Sequence, residues 1–162
     1  MGQCGHYFIE ALPKVHGKSV ILTVIDCFSK AAHFIALAHP YTAVSMARAF
    51  FTEVVRLHGI PASIISDRDP VFTSSFWCEL FRLSGVKLQF TSAFHPQSDG
   101  QSEAANKIIS MYLRCLIGDR PRNWLEWLPL AEFCYNSSYQ QSLKTSPFHV
   151  VYGRPPPTIC FL

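Results

Sequence analysis

The run Ser19-Val20-Ile21-Leu22-Thr23-Val24-Ile25-Asp26 restricts the fold more than any other segment of the chain. It is rich in β-branched residues and almost continuously apolar, the pattern of a strand covered on both faces rather than wetted on alternate residues. Such a strand needs a protein layer on each side. Residues 6–12 (HYFIEAL), closed by Pro13, read as a strand before it, and Ala31 to Leu37 as a strand after it. The turns His16-Gly17-Lys18 and Cys27-Phe28-Ser29-Lys30 join the three into a meander.

The covering layers come later in the chain. Thr42 caps a helix running through Leu57, with Ala43, Met46, Ala47, Phe50, Val54 and Leu57 spaced for one buried face. His58-Gly59-Ile60-Pro61 stops it. Ser63 to Ser66 is a fourth strand, residues 73–84 a helix, and Val86 to Phe90 a fifth strand. Further helices are expected from Glu103 to about Leu116 and over about 122–136. The tail from Ser146 turns and then runs extended through Arg154-Pro155-Pro156-Pro157. This order predicts an α/β domain over residues 1–153, a mixed five-stranded sheet flanked by helices, with a proline-rich tail over 154–162.

Composition narrows the function classes. The apolar share is 49% and the charged share 15%, a balance suited to a packed core rather than a disordered tail. A net charge of +3 permits nucleic-acid binding without announcing it, since dedicated domains often have a pI above ~9. The six cysteines, at 4, 27, 78, 115, 134 and 160, form no CxxC pair, which argues against structural zinc and for reduced thiols. No stretch reaches the ~20 apolar residues of a membrane span, and neither a signal peptide nor a myristoylation motif is read at the start.

The chemistry centres on Asp67 and Glu103, with 35 residues between them. Asp67 closes the apolar run Ile64-Ile65-Ser66, and Glu103 ends the polar loop His95-Pro96-Gln97-Ser98-Asp99-Gly100-Gln101-Ser102 at a helix start. A carboxylate at a strand end and another at a helix start can converge on one divalent metal site, the arrangement used for in-line phosphoryl transfer. The plain alternatives are a turn at Asp67-Arg68-Asp69-Pro70 and a helix-dipole contact at Glu103.

These two motifs, with VIDCFSK, HFIAL, HGIP, SDRDPVFTSSFW, HPQSDGQSE, YNSS and SPFHVVYGRPPP, resemble the integrase catalytic core of retroviruses and Ty3/gypsy-type retrotransposons. The resemblance spans nearly the whole chain. It implies a ribonuclease-H-like fold, with Asp67 and Glu103 as catalytic metal ligands for Mg2+ or Mn2+. It also implies action on DNA, both element ends and target DNA, as a homo-oligomer in the nucleus. Relatives read "DFI" where this chain reads Tyr7-Phe8-Ile9, so Tyr7 stands where the first catalytic Asp is expected. In the family that Asp contacts both metals. A phenol with a pKa near ~10 is a poor magnesium ligand, and its ring would crowd the metal position. Asp26, at the end of the neighbouring strand, is the substitute ligand to weigh, a structural turn or cap being its other role. His95, Asn106, Lys107 and Arg114 are the nucleic-acid-binding candidates, each also readable as packing or solvated surface.

Three functions are compatible with this reading. The first is an integrase core whose end processing and strand transfer are impaired at position 7. The second is a non-catalytic nucleic-acid-binding or dimerising remnant, and the third a ribonuclease-H-like nuclease.

Overall fold

Parallel pairing between two strands 60 residues apart places the start of the chain beside the segment that leads to Asp67. A computed structural model describes residues 3–66, 70–85 and 101–158. Strands β1 (Gln3–Ile9), β2 (Lys18–Asp26) and β3 (Ala32–Ala38) form the expected antiparallel meander. Strand β4 (Ser63–Ser66) runs parallel to β1, with Gln3 opposite Ser63 and His6 opposite Ser66. The sheet order among the described residues is β3-β2-β1-β4, a mixed sheet. The fifth strand expected at Val86 to Phe90 lies outside the described residues.

β1 begins at Gln3, earlier than the local sequence indicates, because Gln3 to His6 find their partners on β4. It also ends earlier, at Ile9, and Glu10 beyond it accepts a hydrogen bond from the Tyr41 hydroxyl at 2.7 Å.

Side chains alternate across the sheet and so feed two separate cores. Cys4, Val20, Leu22, Val24, Ile35 and Leu37 pack on one face against α1 (Ala43–Phe50) and α3 (Pro70–Ser84). Ile21, Ala32 and Phe34 pack on the other face with Leu113 of α4 (Gln101–Ile117) and with Trp124, Leu128, Ala131 and Tyr135 of α5 (Trp124–Ser137). Val20, Ile21, Leu22 and Val24 are all buried, as a doubly covered strand requires. The Trp124 indole donates to the Pro13 carbonyl at 2.8 Å, which ties α5 to the β1–β2 connection.

Thr42 caps α1 as expected, in a reciprocal arrangement: its hydroxyl accepts from the Ser45 amide at 3.1 Å, and the Ser45 hydroxyl accepts from the Thr42 amide at 2.8 Å. The helix then widens into a π-helical turn, Phe51–Val55, before a last α-turn, α2 (Arg56–His58). Thr52 Oγ1 bonds the Arg48 carbonyl at 3.0 Å and Arg56 Nε bonds the Thr52 carbonyl at 3.0 Å, occupying carbonyls along this turn. α3 starts at Pro70, where a proline opens a helix without losing a bond. In the tail, residues Pro147–Tyr152 form a short helix, α6, capped by Ser146 at the His149 amide (3.2 Å) and closed by Gly153 in the left-handed conformation.

The outer edge of β3 is covered by side chains. Asn136 of α5 accepts from the Ala32 amide and donates to the Ala32 carbonyl, both at 2.8 Å. Glu132, one turn earlier on the helix, accepts from the Phe34 amide at 2.8 Å, and Lys18 Nζ donates to the Ala36 carbonyl at 2.8 Å. Asn136 belongs to the YNSS motif, so that motif has a structural task.

Candidate active site

Tyr7 sits on β1 with Gly5 and Ile9, on the side of the sheet that faces α4 and α5. It is the residue after His6, whose partner Ser66 ends β4, so it marks the level at which β4 hands over to Asp67. Asp67 itself lies outside the described residues, as does His95. Glu103 and Asn106 are described as backbone positions in the opening turns of α4. The elements that carry positions 7 and 103 therefore pack on one another, and the strand that leads to 67 pairs with β1.

The Tyr7 ring is buried and runs back along β1 over Gly5, rather than forward past the strand's end. A side chain at position 5 would meet the ring's Cε2 at 2.7 Å and overlap the hydroxyl as well. Glycine at position 5 is therefore what lets the phenol lie down. Across the strand pair, Tyr7 faces Thr23, whose buried hydroxyl has no hydrogen-bond partner among the described residues.

Asp26 lies on the other face of the sheet. It pairs with Cys4, three residues along β1 from Tyr7, and alternation points the two side chains to opposite sides. Its Oδ2 accepts from the Ser29 amide at 2.8 Å and the Ser29 hydroxyl at 2.7 Å, so this carboxylate closes the β2–β3 turn. Its Oδ1 is buried without a partner among the described residues. Burial, and secondarily the Asp26 carboxylate, push the Cys4 thiol up to about 12, which keeps it protonated and inert. The capping role is the one that Asp26 fills.

Lys107 and Arg114 occupy one stripe of α4, spaced by nearly two turns with Ser110 between them. With Met111 and Cys115 they line a hollow of about 480 Å³ against Phe8 and Ile9 of β1. Position 103 precedes this stripe by about one turn. The hollow has two cationic side chains on one wall and an apolar floor, a combination suited to a phosphate backbone lying along the helix. Taken singly in the sequence, each cation reads as an isolated surface charge; their common stripe is the signal that joins them.

Among the described side chains, position 7 does not supply the ligand that a pair of magnesium ions needs. Two-ion sites need a short bridging carboxylate between metals ~4 Å apart, and position 7 offers a phenol folded away over Gly5. No group of three histidine, cysteine, aspartate or glutamate side chains converges on a metal position among the described residues.

No family model matches the chain. Individual relatives do. It is 32% identical over 149 residues to the Transposon Tf2-3 polyprotein of Schizosaccharomyces pombe, and equally to the Tf2-4 polyprotein, with 92% of this chain covered. The chain spans 11% of the length of these relatives. Among solved structures, the HTLV-2 integrase catalytic core domain in complex with magnesium superposes with a TM-score of 0.68 at 18% identity. That match covers 92% of this chain and 95% of the viral one. A chain of the simian T-cell lymphotropic virus intasome in complex with PP2A regulatory subunit B56 gamma gives 0.68 at 16% identity, over 99% of this chain and 58% of that one. The fold is thus ribonuclease-H-like. Sequence kinship to the Tf2 polyproteins and this shared fold place the chain in the family of Ty3/gypsy-type retrotransposon integrase catalytic cores.

Proposed function

We propose that this domain binds DNA as an integrase core whose strand-transfer chemistry is impaired at its first ligand position. The observation that carries this reading is Tyr7: a buried phenol, turned back over Gly5, on the strand beside β4 and on the face that packs α4. Asp67 and Glu103 keep the other two carboxylate positions of the family pattern. Magnesium or manganese, when bound, would supply charge neutralisation at the attacking and leaving oxygens. Two carboxylates can retain one ion through water, but a group that acts as one member of a unit costs orders of magnitude in rate when it is lost.

The cations of α4 have a separate task. Lys107 and Arg114 neutralise backbone phosphates and so align a duplex or an element end along the helix, with no base readout required. A second copy of the chain completes the assembly, as in the dimeric and trimeric forms of the HTLV-2 core. Action on element ends and target DNA places the working complex in the nucleus.

Strand transfer on pre-cut element ends, with magnesium and with flanking integrase domains supplied, tests the reading. The natural chain should give little product, Tyr7→Asp should restore part of it, and Tyr7→Asp with Glu103→Gln should lose it again. Robust activity of the natural chain would overturn the proposal. Absence of rescue in every variant, with DNA binding retained, would favour the non-catalytic remnant.

A further inference from the structure

Three side chains outside the α4 site form a hydrogen-bonded chain on the outer side of β3. Glu132 of α5 directs Oε2 to the Phe34 amide at 2.8 Å and places Oε1 3.1 Å from His33 Nδ1. His33 Nε2 lies 2.8 Å from His58 Nε2, at the last residue of α2. An ionised carboxylate only accepts, so His33 Nδ1 carries a hydrogen. Two ring nitrogens at 2.8 Å need one hydrogen between them. With none, two lone pairs face each other; with two, two N–H groups collide. Either His58 donates to a neutral His33, or a protonated His33 donates to His58.

We propose that His33, His58 and Glu132 form a one-proton clasp that fastens the end of α2 to β3 and α5, and that a second proton on the imidazole pair releases it. The clasp has a mechanical role because of its place in the chain. Gly59, Ile60, Pro61 and Ala62 run directly from His58 into β4, so the clasp fixes the point from which β4 is launched. Among the described residues, Glu132 is the one acid bonded to either histidine ring. On the cavity of about 640 Å³ beside His33, Lys18 is held by the Ala36 carbonyl and Arg56 by the Thr52 carbonyl. Arg48 pairs with Glu79 at 3.7 Å, and Glu53 is exposed. Burial, and then the facing His33, hold the pKa of His58 below its ordinary value, while Asp26 opposes them at longer range.

The sign comes from linkage. Opening the clasp frees an imidazole to bind a proton near its ordinary pKa of ~6.5. The clasp is therefore at full strength above that pH and weakens as pH falls below it.

Amide hydrogen exchange between pH 7.5 and 5, corrected for intrinsic rates, reads the opening directly. The Gly59 amide, bonded to the Val55 carbonyl at 2.8 Å, and the Phe34 amide, bonded to Glu132, are the reporters. Both should be less protected than the Leu22 amide of the central strand. Their opening constants should rise about tenfold per pH unit below ~6.5, as release coupled to one proton requires. His58→Gln keeps a donor for His33 Nε2 without a titrating ring, so its opening constants should stay flat. An equal slope in His58→Gln, a flat natural chain, or a Leu22 amide that opens in step would each overturn the clasp. So would ring resonances in which both histidines titrate independently near ~6.5. Zinc that strengthens protection at pH 7.5 and abolishes the slope would overturn it in favour of a metal site.

Discussion

Position 5 has room for no side chain because Tyr7 lies across it. The two residues are therefore coupled, and a double-mutant cycle should show it. Gly5→Ala should cost about 1–3 kcal/mol in the natural chain, the usual penalty of overpacking. In a Tyr7→Ala background the same change should cost far less, leaving a coupling of at least about 1 kcal/mol by urea unfolding. Equal costs in both backgrounds would show that the ring does not rest on Gly5. His6 makes a second prediction at this scale. It is enclosed by Phe50 and Phe76, with ring centroids 5.0 and 5.2 Å away, and its Nε2 has no partner among the described residues. Burial pushes its pKa down to about 3. The unfolded chain takes up a proton near ~6.5 that the native state refuses, so stability is complete above that pH and is lost as pH falls toward the folded value. The slope should approach about 1.4 kcal/mol per pH unit for this one group. Urea midpoints at pH 7, 6, 5 and 4 should converge for His6→Leu more closely than for the natural chain.

At the level of elements, what the sequence made legible was local. The double burial of β2 is written in its composition, and the Thr42 cap in its residue type and position. The bounds of β1 are not, because Gln3 to His6 pair with residues 60 positions away, and only that partner fixes where the strand begins. The π turn inside the long helix interrupts the α-helical period, and Leu57, spaced for the buried face by that period, is exposed beyond it. α6 was readable in principle, since Ser146-Pro147 is a cap followed by a first-turn proline, but the prolines beyond it dominate the pattern. The task of Asn136 was hidden by distance: it bonds Ala32, 104 residues earlier. Asn136→Leu should leave two backbone groups of Ala32 unpaired and cost about 1–3 kcal/mol in urea unfolding, with faster exchange at the Ala32 amide. Unchanged exchange there would mean that water replaces the amide without cost.

For the whole molecule, the motif directs attention to position 7, and the fold sets the geometry there. Tyr7 could be placed by motif, but the direction of its ring depends on a glycine two residues away, and that coupling is not written in either residue type. The same holds for Asp26. Its place at a strand end left a ligand and a turn cap open, and strand register sets it on the far face from Tyr7, where it caps the β2–β3 turn. The two cations of α4 gain meaning only as a pair. Binding of the domain to DNA should be weak, with little sequence preference, and should fall steeply with salt. Lys107→Ala and Arg114→Ala should each reduce the slope of log K against log salt by about one. Sequence-specific binding that ignores salt would contradict this.

The side chains laid along β3 set a limit on how copies of this chain associate. An unprotected outer strand recruits another, and strand recruitment leads toward domain exchange and fibrils. Here the amides of Ala32 and Phe34 and the carbonyls of Ala32 and Ala36 are already engaged. A partner approaching from this side meets occupied backbone, and a continuous sheet across two molecules would first require Asn136 and Glu132 to let go. Oligomers that form on this flank must therefore do so by surface-to-surface docking, which is reversible, rather than by extending the sheet.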